Sequence, residues 1–167
     1  MRSLPLASAA WQFRDATEKS PWRDAVVPGC VHTDLRRHGL IPDPFFGTNE
    51  LGLQWIEERD WEYRATFSVA TDLLDAENLE LVADGLDTVA TVRLNGREVG
   101  RSENMFLGQR WAVKPLLRRG ANELVIHFAS AMDYIRANRT SHTPREINDP
   151  VGRCTVIRKQ QCQFGWD

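Results

Sequence analysis

The run Trp61-Glu62-Tyr63-Arg64-Ala65-Thr66-Phe67-Ser68-Val69 alternates apolar and polar residues over nine positions. Side chains along a strand point to opposite faces in turn, so an extended segment with one face on a core gathers Trp61, Tyr63, Ala65, Phe67 and Val69 together. An antiparallel sheet is the kind that leaves its other face to water. Leu79 and Leu81 repeat the alternation. Residues 89–94, then Asn95-Gly96, then Arg97-Glu98-Val99 predict a hairpin closed by a type I′ turn, whose two central residues both need positive φ. Residues 109–113 and 124–128 predict two further strands, with Leu124, Ile126 and Phe128 on one face and Arg119-Gly120-Ala121-Asn122 as the turn between them. Helices are short and peripheral: residues 31–38 with Gly39 as a left-handed cap, residues 49–59, and residues 131–138. Short strands at turn-rich spacing, with helices confined to connections, predict an all-β fold, a jelly-roll β-sandwich.

The chain has 167 residues, enough for one domain, 1–167, to bury a self-sufficient core. Its 21 basic residues against 23 acidic ones leave a net charge of −2, which gives no field to attract nucleic acid or an anionic membrane. No stretch approaches the roughly 20 apolar residues of a membrane span. Trp11-Gln12-Phe13-Arg14 interrupts the N-terminal residues before a signal-peptide core can form, so the expectation is a soluble chain, with the cytoplasm slightly favoured. Residues 140–153 read as one long surface loop.

Three cysteines, Cys30, Cys154 and Cys162, cannot all pair within the chain, and free thiols are expected. A Cys₃His zinc set with His32 lacks the short paired spacings that bring ligands together, and no cofactor is expected. Phosphate loops, dinucleotide fingerprints, zinc-peptidase motifs and nucleophile elbows are absent from the sequence. Glu57 and Glu58 diverge on a helix and read as solvated charges. Glycoside cleavage needs two carboxyls about 5 to 10 Å apart across a pocket, and nothing in the sequence identifies such a pair. Six tryptophans suit both sandwich cores and sugar-stacking surfaces.

Three segments are more specific: Val27-Pro28-Gly29-Cys30-Val31-His32-Thr33-Asp34-Leu35, Ile41-Pro42-Asp43-Pro44-Phe45-Phe46-Gly47-Thr48-Asn49-Glu50, and Arg158-Lys159-Gln160-Gln161-Cys162-Gln163-Phe164-Gly165-Trp166-Asp167. With Gly85-Leu86-Asp87-Thr88-Val89-Ala90 and Leu94-Asn95-Gly96, they resemble the N-terminal region of β-mannosidases of glycoside hydrolase family 2. The resemblance implies a sugar-binding jelly-roll domain, followed in the family by an immunoglobulin-like sandwich and a (β/α)₈ barrel that holds both catalytic glutamates. The chain stops at Asp167, inside a motif that the family continues, so the expectation is a fragment without the barrel, inactive alone. The partners so implied are a β-mannoside sugar and the missing catalytic domains.

By the same resemblance Trp166 shapes the wall of the barrel's pocket and Asp167 accepts hydrogen bonds from sugar hydroxyls; the alternative is a core Trp166 and a frayed Asp167. Asn49 and Glu50 are candidates for sugar contact on a proline-stiffened loop suited to a domain interface, or Thr48 or Asn49 caps the helix that follows. Trp22, Trp55, Trp61 and Trp111 are expected in core or interdomain packing. A free-standing carbohydrate-binding module is the alternative function.

Overall fold

The computed structural model describes residues 3–143 and 155–160. Among them lie eight strands and three short α-helices: β1 (Ala10–Asp15), β2 (Arg23–Ala25), α1 (Val31–Arg37), β3 (Trp61–Val69), α2 (Thr71–Leu74), β4 (Glu80–Ala83), β5 (Ala90–Leu94), β6 (Arg97–Ser102), β7 (Gln109–Ala112), β8 (Gly120–Phe128) and α3 (Ala131–Asn138). Six strands form an antiparallel sheet in the order β2-β1-β3-β8-β5-β6, and β4 pairs with β7 in a second sheet. The fold is the expected all-β sandwich with peripheral helices.

The alternation in β3 has the predicted effect. Trp61, Tyr63, Ala65 and Val69 are buried, and the strand runs between β1 and β8. Phe13, Val92 and Leu124 join this core from neighbouring strands, and Leu81, Ala83 and Trp111 pack onto it from the second sheet. The β5–β6 hairpin turns at Asn95 and Gly96 with φ of 51° and 81°, as a type I′ turn requires. Asn95 does more than turn: its amide donates to Leu116 O and Asn122 Oδ1, both at 2.8 Å, and its Oδ1 accepts Glu123 N.

Two expectations are corrected. Residues 49–59 form two 3₁₀ turns, Asn49–Gly52 and Gln54–Glu58, that meet at Leu53. Leu53 and Ile56 are the buried pair there, three residues apart, a spacing that three residues per turn brings to one face. The 119–122 turn is not one, because Gly120 opens β8 opposite Val69. The chain turns earlier, at Lys114–Leu116, and Asn122 stays buried by bonding both Arg118 N and Arg118 O at 2.8 Å. Strands β7 and β8 therefore belong to different sheets. Strands β1 and β2 and helix α2 are additional, and most of the 140–153 loop lies outside the described residues.

The register aligns one end of the six-stranded sheet: Asp15 opposes Trp61, Trp61 opposes Phe128, Phe128 opposes Ala90, and Ala90 opposes Ser102. The segments entering β3 and β5 and those leaving β6 and β8 consequently share that end. Residues 155–160 join them through a parallel bridge between Asn104 and Arg158 and a 3.1 Å bond from Met105 N to Arg158 O.

Candidate functional site

The first family-like segment is built around one carboxylate. Gly29 passes so close to Val26 that a Cβ there would lie 2.3 Å from Val26 O, so a side chain is excluded as the chain turns into α1. Asp34, on that helix, is 1% exposed; its Oδ1 accepts Val26 N and its Oδ2 accepts the Tyr63 hydroxyl, both at 3.0 Å, with Arg37 at 3.6 Å. Burial, then the Asp34 charge, pushes the Tyr63 hydroxyl far above the ordinary tyrosine range. The motif thereby clamps loop, helix and strand together.

Cys30, at the start of α1, is a free, exposed thiol, 3.7 Å from the Thr33 hydroxyl. A hydrogen bond from His32 is the main influence that lowers its pKa from 9.0 to about 7, against the opposing effect of partial burial. At pH 7 about half the thiol is then ionised, roughly 15-fold more than in an ordinary thiol with a pKa near 8.5, offset by a loss of nucleophilicity of about fivefold. Iodoacetamide should label Cys30 about threefold faster than an ordinary thiol at pH 7, as read by peptide mass spectrometry. His32→Ala should move the labelling midpoint upward; an unchanged midpoint would refute the assignment. Cys154 and Cys162, which a zinc set would need, lie outside the described residues.

The second segment is a loop closed on itself. Asp43 pairs with Arg36 at 2.6 Å and its Oδ1 accepts Phe45 N, while Asn49 Nδ2 donates to Asp43 O at 2.9 Å. Asn49 thus ties the loop's two ends, and Thr48, at the capping position, makes no side-chain cap. Glu50 is exposed and contributes its backbone carbonyl, which accepts Leu53 N and Gln54 Nε2. Between these ties Phe45 and Phe46 stand out, 95% and 76% exposed.

The third segment is described as far as Gln160. Lys159 pairs with Asp87, and Gln160 N lies 3.0 Å from Met105 Sδ, so the chain is fastened to the aligned end of the sheet. Trp166 and Asp167 lie outside the described residues. The structure therefore brings the Asp87 loop and residues 155–160 together. The sequence reading missed this pairing, which spans 72 positions.

The tryptophans divide. Trp61 is core, its indole donating to Ile56 O at 3.0 Å, and Trp55 leans against it with ring centroids 6.1 Å apart. Trp111 is half-buried on the core. Trp22 lies beneath the guanidiniums of Arg14 and Arg64, 4.5 and 4.2 Å from its ring. Those cations occupy the indole that a sugar would stack on. Glu58 pairs with Arg136 of α3 at 2.5 Å, an exposed ion pair. No described helix is long and apolar enough to cross a membrane.

The model of the family described as glycosyl hydrolase 2 galactose-binding domain-like matches residues 11–167. The chain belongs to this family. As a glycosyl hydrolase 2 domain it is 43% identical to β-mannosidase B of Thermothelomyces thermophilus over 164 residues, 94% of the chain and 19% of that protein. It is 36% identical to the β-mannosidase of Mus musculus over 151 residues, 86% of the chain and 17% of that protein. The crystal structure of the β-D-mannosidase from Dictyoglomus thermophilum superposes with a TM-score of 0.85 at 39% identity, covering 94% of the chain and 19% of that structure. The glycosyl hydrolase 2 domain thus spans about a fifth of the length of the relatives it matches.

Proposed function

We propose that the chain is the non-catalytic N-terminal domain of a β-mannosidase-like retaining exo-glycosidase, which packs on a catalytic barrel and helps shape its pocket for a terminal β-linked mannose. The observation that carries this reading is the identity of 36–43% to β-mannosidases across most of the chain, against only about a fifth of their length. The other four fifths have room for the nucleophile and acid that a double displacement needs.

In this reading Trp166 forms part of the pocket wall and Asp167 accepts from hydroxyls of the non-reducing sugar, as a carboxylate accepts from paired hydroxyls. Glu50 lies with Phe45 and Phe46 on a loop that faces the barrel, and Asn49 keeps that loop closed. Support for a covered face comes from the two phenylalanines, since aromatic side chains exposed to this degree mark interaction surfaces.

The deciding experiment is the mass of the native polypeptide in its source cells, detected on a denaturing gel with an antibody raised against this domain. A band several times 19.1 kDa, from a protein that hydrolyses aryl β-mannosides while residues 1–167 alone do not, is the expected result. A band near 19.1 kDa overturns the reading and makes the chain a free-standing binding module.

A further inference from the structure

We infer that His127 is a proton-operated brace, whose charged ring ties β8 to two carboxylates at once and tightens the seating of α3 in mild acid. The ring lies between Glu62 Oε1, 3.7 Å from its Nδ1, and Asp60 Oδ2, 3.5 Å from its Nε2. Each of these oxygens is the spare one of its carboxylate. Glu62 Oε2 is taken by Arg14 at 2.6 Å, and Asp60 Oδ1 accepts Ser130 N at 2.7 Å.

A neutral imidazole has one N–H and one lone pair, so in either tautomer one of the two facing oxygens meets a lone pair. A charged ring donates from both nitrogens and satisfies both oxygens. The setting is therefore complementary to the charged form, and the two gaps, longer than hydrogen bonds, are the ones that charging closes.

The sheet holds the ring in register. Arg14, Glu62, His127, Thr91 and Arg101 oppose one another in a row across β1, β3, β8, β5 and β6. Arg101 is occupied by Glu98 at 2.9 Å. One step along the same face Arg64 and Arg93 flank Val125, and Arg64 donates to Gln12. Arg59, beside Asp60 in the chain, pairs with Glu18 at 2.6 Å and lies 3.9 Å from Asp15, while Glu58 pairs with Arg136. Among the described residues the ring is the one cation that Asp60 can acquire.

Asp60 passes the effect on. Its carbonyl accepts Ala16 N and its amide donates to Thr17 Oγ1. Its carboxylate holds Ser130, whose hydroxyl caps α3 by accepting Asp133 N and donates to Glu57 O. Drawing Asp60 onto the charged ring thus firms the N-terminus of α3 against the Gln54–Glu58 turn.

The test is hydrogen exchange by mass spectrometry on the native-length polypeptide, reading peptides that cover residues 128–139 at about pH 8 and about pH 5.5, the range in which histidines change charge. After correction for intrinsic exchange, protection should rise about threefold to tenfold in acid, the scale of two partly exposed ion pairs. His127→Gln should abolish the rise, and His142→Gln, in the turn after α3, should leave it. Asp60→Asn keeps an acceptor for Ser130 N but loses the charge, and should cut the rise by about half on the same scale. Equal protection at the two pH values overturns the inference, as does a rise that survives His127→Gln or stands at full size in Asp60→Asn.

Discussion

Asp34→Ala is expected to lower the unfolding free energy by about 2–4 kcal/mol, because it strands the buried Tyr63 hydroxyl at about 1–3 kcal/mol and removes the acceptor of the partly buried Val26 amide, worth about 1 kcal/mol more. Arg37 is half-exposed and recovers water when its partner leaves. Against a typical stability of about 5–15 kcal/mol the loss is large, and it reads as a fall in the urea midpoint at constant slope. Asp34→Asn keeps an acceptor for one donor and should cost less. A midpoint unmoved by Asp34→Ala would show that the clamp does not hold the fold.

The same pair sets a pH dependence whose sign is fixed. The Tyr63 hydroxyl titrates far higher when folded than the value near 10 of an unfolded tyrosine. Above about pH 10 the unfolded chain therefore holds fewer protons, and stability falls as pH rises, by about 1.4 kcal/mol per unit. Below pH 10 the contribution is fully present. Tyr63→Phe should flatten this alkaline slope.

In the native-length polypeptide, Asp167→Asn is expected to lower kcat/KM for aryl β-mannosides by about 10–100-fold, since a hydrogen bond to a charged acceptor contributes about 1.5–3 kcal/mol. Thermal stability should stay within about 1 °C of the parent if the carboxylate contacts sugar. Unchanged kcat/KM would reduce the Trp166-Asp167 pair to sealing the pocket's mouth, with no sugar contact.

Where a single segment carries its own period, the fold was legible. Strand β3 and the Asn95-Gly96 hairpin are of this kind, since alternation and positive φ are local requirements. Partnership between strands is not local. The alternation in β7 and β8 announces two faces but does not say that β7 pairs with β4 and β8 with β3 and β5. In β1 the signal was present, Trp11 and Phe13 alternating with Gln12 and Arg14, but too short to stand out beside the N-terminus.

The site divides in the same way. The family-like segments marked where the constraints lie, yet the role of Asp34 depends on Tyr63, 29 positions away, and nothing in a charged seven-residue helix signals burial. Met105-Phe106-Leu107 reads as three equal apolar residues, and only the fold turns one inward and two outward. Asn49 looked like a cap or a ligand because an amide suits both. Its bond to Asp43 O across the loop makes it a fastener.

Among the described residues, the six-stranded sheet ends at two margins, β2 and β6. Strand β2 is only three residues long, and β6 carries Arg97, Glu98 and Arg101 along with a register shift opposite Val92 and Arg93 that leaves Val99 without a counterpart. Short, charged and bulged borders are poor templates for another strand. The six-stranded sheet therefore gives a second molecule of this domain little to zip onto edge to edge, even at high concentration.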